Sequence, residues 1–150
     1  MTVDSSTLLF FDASCLIAAA GSAQGGSGFL LSLCRKRWLA AAVSHVVLLE
    51  AERNLAAKRG PRELARYHEL LAQIPWVLAA VPEEKGQAAW SQLINPKDHH
   101  VIAATLACGA EYLLTLDRGL LREVEASALP IVALDPGTFI KRVLPEHDAL

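Results

Sequence analysis

Two acids stand directly behind apolar runs: Asp12 after residues 7–11 (TLLFF), and Asp117 after residues 112–116 (YLLTL). An acid gains nothing inside an apolar strand, so each reads as belonging to the loop at a strand's carboxyl end. Two further acids hold helical positions. Glu50 follows Val46-Val47-Leu48-Leu49, and Asp98 lies in the first turn of a helix opened by Pro96. If these four converge, like charges at close range are unfavourable unless a cation neutralises them. Mg²⁺ and Mn²⁺ suit the task, because hard divalent ions take a few carboxylate oxygens plus waters. Such an ion activates water and stabilises an oxyanion during phosphodiester cleavage. Asp12, Glu50, Asp98 and Asp117 are therefore the candidate metal-ligating and catalytic residues. On charge alone, replacing Asp12 or Asp98 by Asn is expected to stabilise the metal-free protein.

The elements around these acids alternate. Apolar strands are expected at residues 7–11, 39–43, 76–81, 111–115 and 131–134. Helices are expected at 15–20, 29–38, 45–58 (N-capped by Ser44 and closed by Gly60), from Pro61 through Ile74, at 83–94, from Pro96 to Gly109, at 119–126 and at 136–143. Residues 21–28 read as a flexible loop and 145–150 as a frayed tail. The fold class is α/β, with a central, mostly parallel sheet of five strands covered on both faces, in one domain over residues 1–150. In such sheets ligands bind at the carboxyl ends of strands, near a topological switch point.

Composition narrows the function classes. The chain has 150 residues, 53% hydrophobic and 20% charged, so it can bury a core without disulfides or structural metal. The three cysteines have no CxxC or His-Cys spacing and read as buried hydrophobes in a reducing compartment. No window reaches the ~18–20 apolar residues of a membrane span. The apolar N-terminal stretch has no basic residue before Arg35 and carries Asp12 in its middle, so the chain reads as cytoplasmic. A net charge of −2 argues against nucleic-acid binding by charge alone. Metal ions bridging acids to phosphates would remove that objection.

Four segments carry a resemblance: FFDASCLI (10–17), the Ser44–Leu55 run with its Ser-x5-Glu-x2-Arg-Asn-Leu spacing, PKDHHVIAATLACGA (96–110) and YLLTLDRGLL (112–121). In that order, and with ALDPGTFIKRV at 133–143, the sequence resembles the PIN-domain nucleases, the fold of VapC-type toxins. The resemblance implies a PIN-like three-layer α/β/α fold with acids at the sheet's carboxyl edge. It makes Asp12, Glu50, Asp98 and Asp117 the acidic quartet, with Mg²⁺ or Mn²⁺ as cofactor and RNA as substrate. A cognate antitoxin protein and a homodimer are the partners it implies, with no role for a membrane. The sequence departs from the commonest pattern at His99 and His100, and it lacks a further acid after Asp117.

Several residues have simpler readings. Glu52 rivals Glu50 but points from another helical face. Adjacent helical residues diverge by about 100°, so at most one of His99 and His100 faces the site. Ser14 and Thr115 serve either local backbone groups or a bound water. The basic runs 35–37 and 58–66 are solvated faces unless they meet phosphates, and Asp135 is a helix cap. A haloacid dehalogenase-type phosphatase needs a second Asp two residues after the first, where this chain has Ser14. The non-enzyme alternative is a PIN-like module that binds RNA or a partner without cutting.

Overall fold

The unbroken apolar run Leu8–Phe11 forms β1 at the centre of the sheet, where a strand must be apolar on both faces. Leu9, Phe10 and Phe11 are fully buried there. The computed structural model describes residues 2–82 and 89–149. Its other strands are β2 (Ala40–Val43), β3 (Val77–Leu78), β4 (Tyr112–Leu114) and β5 (Val132–Leu134). All pair in parallel, in the order β3-β2-β1-β4-β5. The chain steps outward from β1 to β3 on one side, then returns to place β4 on the other. The topological switch therefore lies between β1 and β4. Their register sets Phe11 opposite Leu114, and the Asp12 N–H donates to the Leu114 carbonyl at 3.0 Å. The loops after both strands thus begin side by side.

Seven α-helices among the described residues flank the sheet: α1 (Ala13–Gly21), α2 (Gly26–Arg35), α3 (His45–Lys58), α4 (Pro61–Gln73), α5 (His99–Cys108), α6 (Arg118–Ala126) and α7 (Pro136–Arg142). Most start at a side-chain cap placed where a strand has just ended. Ser44 Oγ accepts from the Val47 N–H at 3.2 Å, and Asp135 Oδ1 from the Thr138 N–H at 2.8 Å. Val47, Ala51 and Leu55 form the buried stripe of α3, and the Tyr67 hydroxyl of α4 donates to the Leu48 carbonyl at 2.8 Å. Each large side chain buried in this core contributes about 1.5–3 kcal/mol relative to exposure. Gly109, at φ 70°, ends α5 in the left-handed conformation that favours glycine.

Five expectations need correction. Residues 26–28 belong to the first turn of α2 and not to a loop. A Cβ on Gly28 would lie 2.5 Å from the Ala23 carbonyl oxygen, so glycine here permits close approach rather than flexibility. Gly60 does not close α3; it is the extended N-cap of α4, and its N–H donates to Glu63 Oε2 at 3.0 Å. The strand expected at 76–81 shrinks to two residues, because β2 ends at Val43 and offers no ladder beyond. Of the helix expected at 83–94, residues 83–88 lie outside the described residues, and Ala89–Gln92 is a 3-10 turn. The tail is tied down through residue 149. His147 is buried with Nε2 2.6 Å from the Trp38 carbonyl, and Val3 bridges it as a parallel strand residue.

Cys15 and Cys34 are buried free thiols whose pKa values burial pushes up to about 12, so neither is a nucleophile. No single helix among the described residues is long and apolar enough to cross a membrane.

Candidate active site

The four acids found from sequence come from four different elements, and all line one open cleft of about 360 Å³ at the sheet's carboxyl edge. Ser14, Asn54 and Lys97 line it too. A groove of about 480 Å³ between α1, α2 and α4 is larger, but Glu69 is the one acid in its lining. The convergence of carboxylates makes the smaller cleft the candidate site.

Asp12 follows β1 and is buried, 7% exposed. Its Oδ1 accepts from the Ala13 N–H at 2.7 Å, at the start of α1. Its Oδ2 accepts from the Thr115 hydroxyl at 2.7 Å and lies 3.3 Å from the Ser14 hydroxyl. Ser14 Oγ accepts from the Leu116 N–H at 3.0 Å, and Thr115 Oγ1 from the Asp117 N–H at 3.1 Å. Ser14 and Thr115 therefore satisfy local backbone groups and orient Asp12 at once. Thr115→Val keeps the volume but removes the donor to a buried carboxylate. It is expected to cost about 1–3 kcal/mol in urea unfolding. A loss below about 0.5 kcal/mol would show that this network holds nothing in place.

Asp98 ends the 3-10 turn Pro96–Asp98 that leads into α5, and its side chain is 12% exposed. Burial pushes its pKa up; the negative charges of Asp12 and Asp117 add to this, and Lys97 opposes it. Asp117 is the N-cap of α6, with Oδ1 accepting from the Leu120 N–H at 3.1 Å. The hydrogen bond from Lys97 to Oδ2, at 2.9 Å, is the main cause holding Asp117 below the ordinary carboxylate range. Glu50 sits on α3 with Oε1 2.6 Å from His100 Nε2. Its rival Glu52 does not line the cleft, and its charge bears on Tyr67 instead.

The two histidines part as helical geometry requires. His100 meets Glu50, and its buried Nδ1 has no hydrogen-bond partner among the described residues. His99 turns away: its Nε2 lies 2.8 Å from the Ser91 carbonyl and 2.9 Å from that of Ile94, with its ring edge-on to Trp90. Sequence reasoning missed Lys97 and Asn54. Asn54 was findable one helical turn after Glu50, whereas nothing in the sequence marked Lys97.

The donor set, carboxylate oxygens facing an open cleft, fits a hard divalent ion. Burial makes the charge of Asp98 costly even with Lys97 beside it, a cost that such an ion would relieve. Among the described residues no three His, Cys, Asp or Glu side chains form a ready-made metal cage. The acids face one cleft without closing on a point.

A family profile described as PIN domain matches residues 9–119, from β1 into α6. The chain belongs to the PIN domain family. All four acids of the cleft fall within the matched span. Among solved structures, PAE2754 from Pyrobaculum aerophilum superposes on this PIN domain with a TM-score of 0.64 at 20% identity, covering 93% of this chain and 98% of that one. VapBC2 from Rickettsia felis, solved bound to a DNA fragment from their promoter, matches with a TM-score of 0.61 at 14% identity, over 85% and 98% of the two chains. VapC20 from Mycobacterium tuberculosis, described as a sarcin-ricin loop cleaving toxin, matches with a TM-score of 0.52 at 17% identity, over 70% and 86%. At these identities the likeness is one of fold. No curated protein matches the chain in sequence.

Proposed function

We propose that this PIN domain is a cytoplasmic endoribonuclease that uses Mg²⁺ or Mn²⁺, and that it is the toxin half of a type II toxin–antitoxin pair. The observation that carries the reading is the convergence of Asp12, Glu50, Asp98 and Asp117 on one open cleft at the β1/β4 switch point. These four residues would hold the ion. A bound divalent ion supplies water activation and neutralises charge on the phosphate.

The protein's own groups do the rest. The Ala13 N–H and the Thr115 hydroxyl fix both oxygens of Asp12, so that carboxylate is oriented before anything binds. His100 pairs with Glu50, and α6 anchors Asp117 through Leu120. The open cleft admits a strand of nucleic acid lying across it. Asn54, beside the acids, offers a neutral donor to a phosphate oxygen. Ser14 stands where a haloacid dehalogenase-type phosphatase needs its second acid, which disfavours that chemistry. An antitoxin segment lying over the acidic edge and a homodimer belong to the same reading. The fold likeness to the solved VapBC2 structure supports an antitoxin partner, and the place where that partner lies is part of the proposal.

The test is cleavage of structured single-stranded RNA by purified protein in millimolar Mn²⁺ or Mg²⁺. Cleavage that stops in EDTA supports the reading. RNA that is bound but left intact in every metal favours the non-cutting module. Cleavage that continues unchanged in EDTA overturns the metal-dependent mechanism.

A further inference from the structure

We propose that Lys97 is a built-in counter-cation of the cleft. Its ammonium holds Asp98 and Asp117 together in the metal-free protein and must leave before a divalent ion can engage them. This deepens the functional reading above and rests on it. Four observations carry the inference.

Nζ lies 2.9 Å from Asp117 Oδ2 and 3.4 Å from Asp98 Oδ2, so one ammonium spans two acids from different elements. The other oxygen of Asp117 is committed to the Leu120 N–H, so Oδ2 is the one Asp117 can turn to a ligand, and Lys97 already holds it. An ion shared by Asp98 and Asp117 would need about 2.1 Å to each oxygen. That draws it into the space the ammonium fills, where like charges repel.

The backbone suits an arm that swings. The Lys97 N–H donates to Asn95 Oδ1 at 3.1 Å, and the Asn95 N–H donates to Glu123 Oε1 at 3.1 Å, so the turn is pinned from α6. The side chain is 61% exposed, so it can leave for solvent without opening the core. Lys97 is thus a positioning residue. It keeps the acids assembled while no ion is bound, and it makes ion entry an exchange of one cation for another.

The experiment compares the parent chain with Lys97→Met and Lys97→Arg. It measures Mn²⁺ affinity by calorimetry and thermal unfolding in EDTA. Lys97→Met keeps the length and removes the charge. It should bind Mn²⁺ more tightly by roughly three- to tenfold, the worth of one or two solvent-exposed ion pairs, and unfold at a lower temperature in EDTA. Lys97→Arg should restore the melting temperature and the weaker binding. Unchanged or weaker Mn²⁺ binding by Lys97→Met overturns the inference, while binding by the parent still supports the metal centre. A purely structural lysine would lower the melting temperature equally with and without Mn²⁺ and leave affinity alone, which also overturns it. No Mn²⁺ binding by the parent overturns both this inference and the functional reading.

Discussion

Asp98→Asn is expected to unfold at a higher temperature than the parent in EDTA and to gain almost nothing from added Mg²⁺, whereas the parent should gain strongly. The first half follows from burial. Asp98 is nine-tenths buried near two other acids, and the nearby ammonium does not fully offset the cost of its charge. Asn keeps the shape and removes the charge, so stability should rise by on the order of 1 kcal/mol. The pH dependence has a definite sign. The folded pKa of Asp98 is raised above the usual 3.8, so its protonated form is favoured by folding. That stabilisation is complete below 3.8 and is lost as pH rises through the folded value. The advantage of Asp98→Asn is therefore largest near neutrality and closes as pH falls toward 4. Asp117, with its pKa lowered, works oppositely: its stabilisation is present above 3.8 and is lost as pH falls through its folded value. The second half follows from linkage, since an ion at 100 times its dissociation constant adds about 2.7 kcal/mol to the state that binds it. Thermal unfolding of both chains at pH 7 and pH 4, in EDTA and in Mg²⁺, checks all of this. If both chains respond equally to Mg²⁺, Asp98 is not a ligand.

Asp12→Asn behaves differently. It should lose at least about 100-fold in RNA cleavage, because an ion's charge stabilisation in the transition state amounts to several kcal/mol. It should not gain stability. Both Asp12 oxygens already accept short hydrogen bonds, from the Ala13 N–H and the Thr115 hydroxyl. The amide of Asn has one acceptor, so one of those donors would face an NH₂ group. Charge reasoning from the sequence treats Asp12 and Asp98 alike; their surroundings separate them. Cleavage assays with urea unfolding of the same preparation read both effects. Parent-like cleavage would remove Asp12 from the site.

The acids were legible because each breaks a local pattern. Asp12 and Asp117 interrupt apolar strands, and the register of β1 against β4 brings their loops together. Glu50 was separable from Glu52 because it fits the register from Ser44 and follows the apolar residues 46–49. Lys97 was not legible. A lysine beside an aspartate usually means a solvated surface, and only the turn pinned by Asn95 and Glu123 aims it into the cleft. The tail was misread for a related reason. Pro145, Glu146 and Asp148 look like a frayed end, but His147 finds the Trp38 carbonyl, 109 positions away in sequence. The shortened β3 likewise depends on where its neighbour stops, which apolarity alone does not encode.

Two carboxylates of the cleft each have one oxygen bonded to a main-chain amide: Asp117 to Leu120, and Asp12 to Ala13. Electron density drawn toward one oxygen is withdrawn from its twin. The nitrogen and proton resonances of Leu120 and Ala13 are therefore natural spectroscopic probes of the two acids. In a nitrogen-15 labelled sample they would follow ion entry and departure of the Lys97 ammonium separately, with no dye or engineered label. The caps that start α1 and α6 thus make the chemistry of the cleft visible from the backbone.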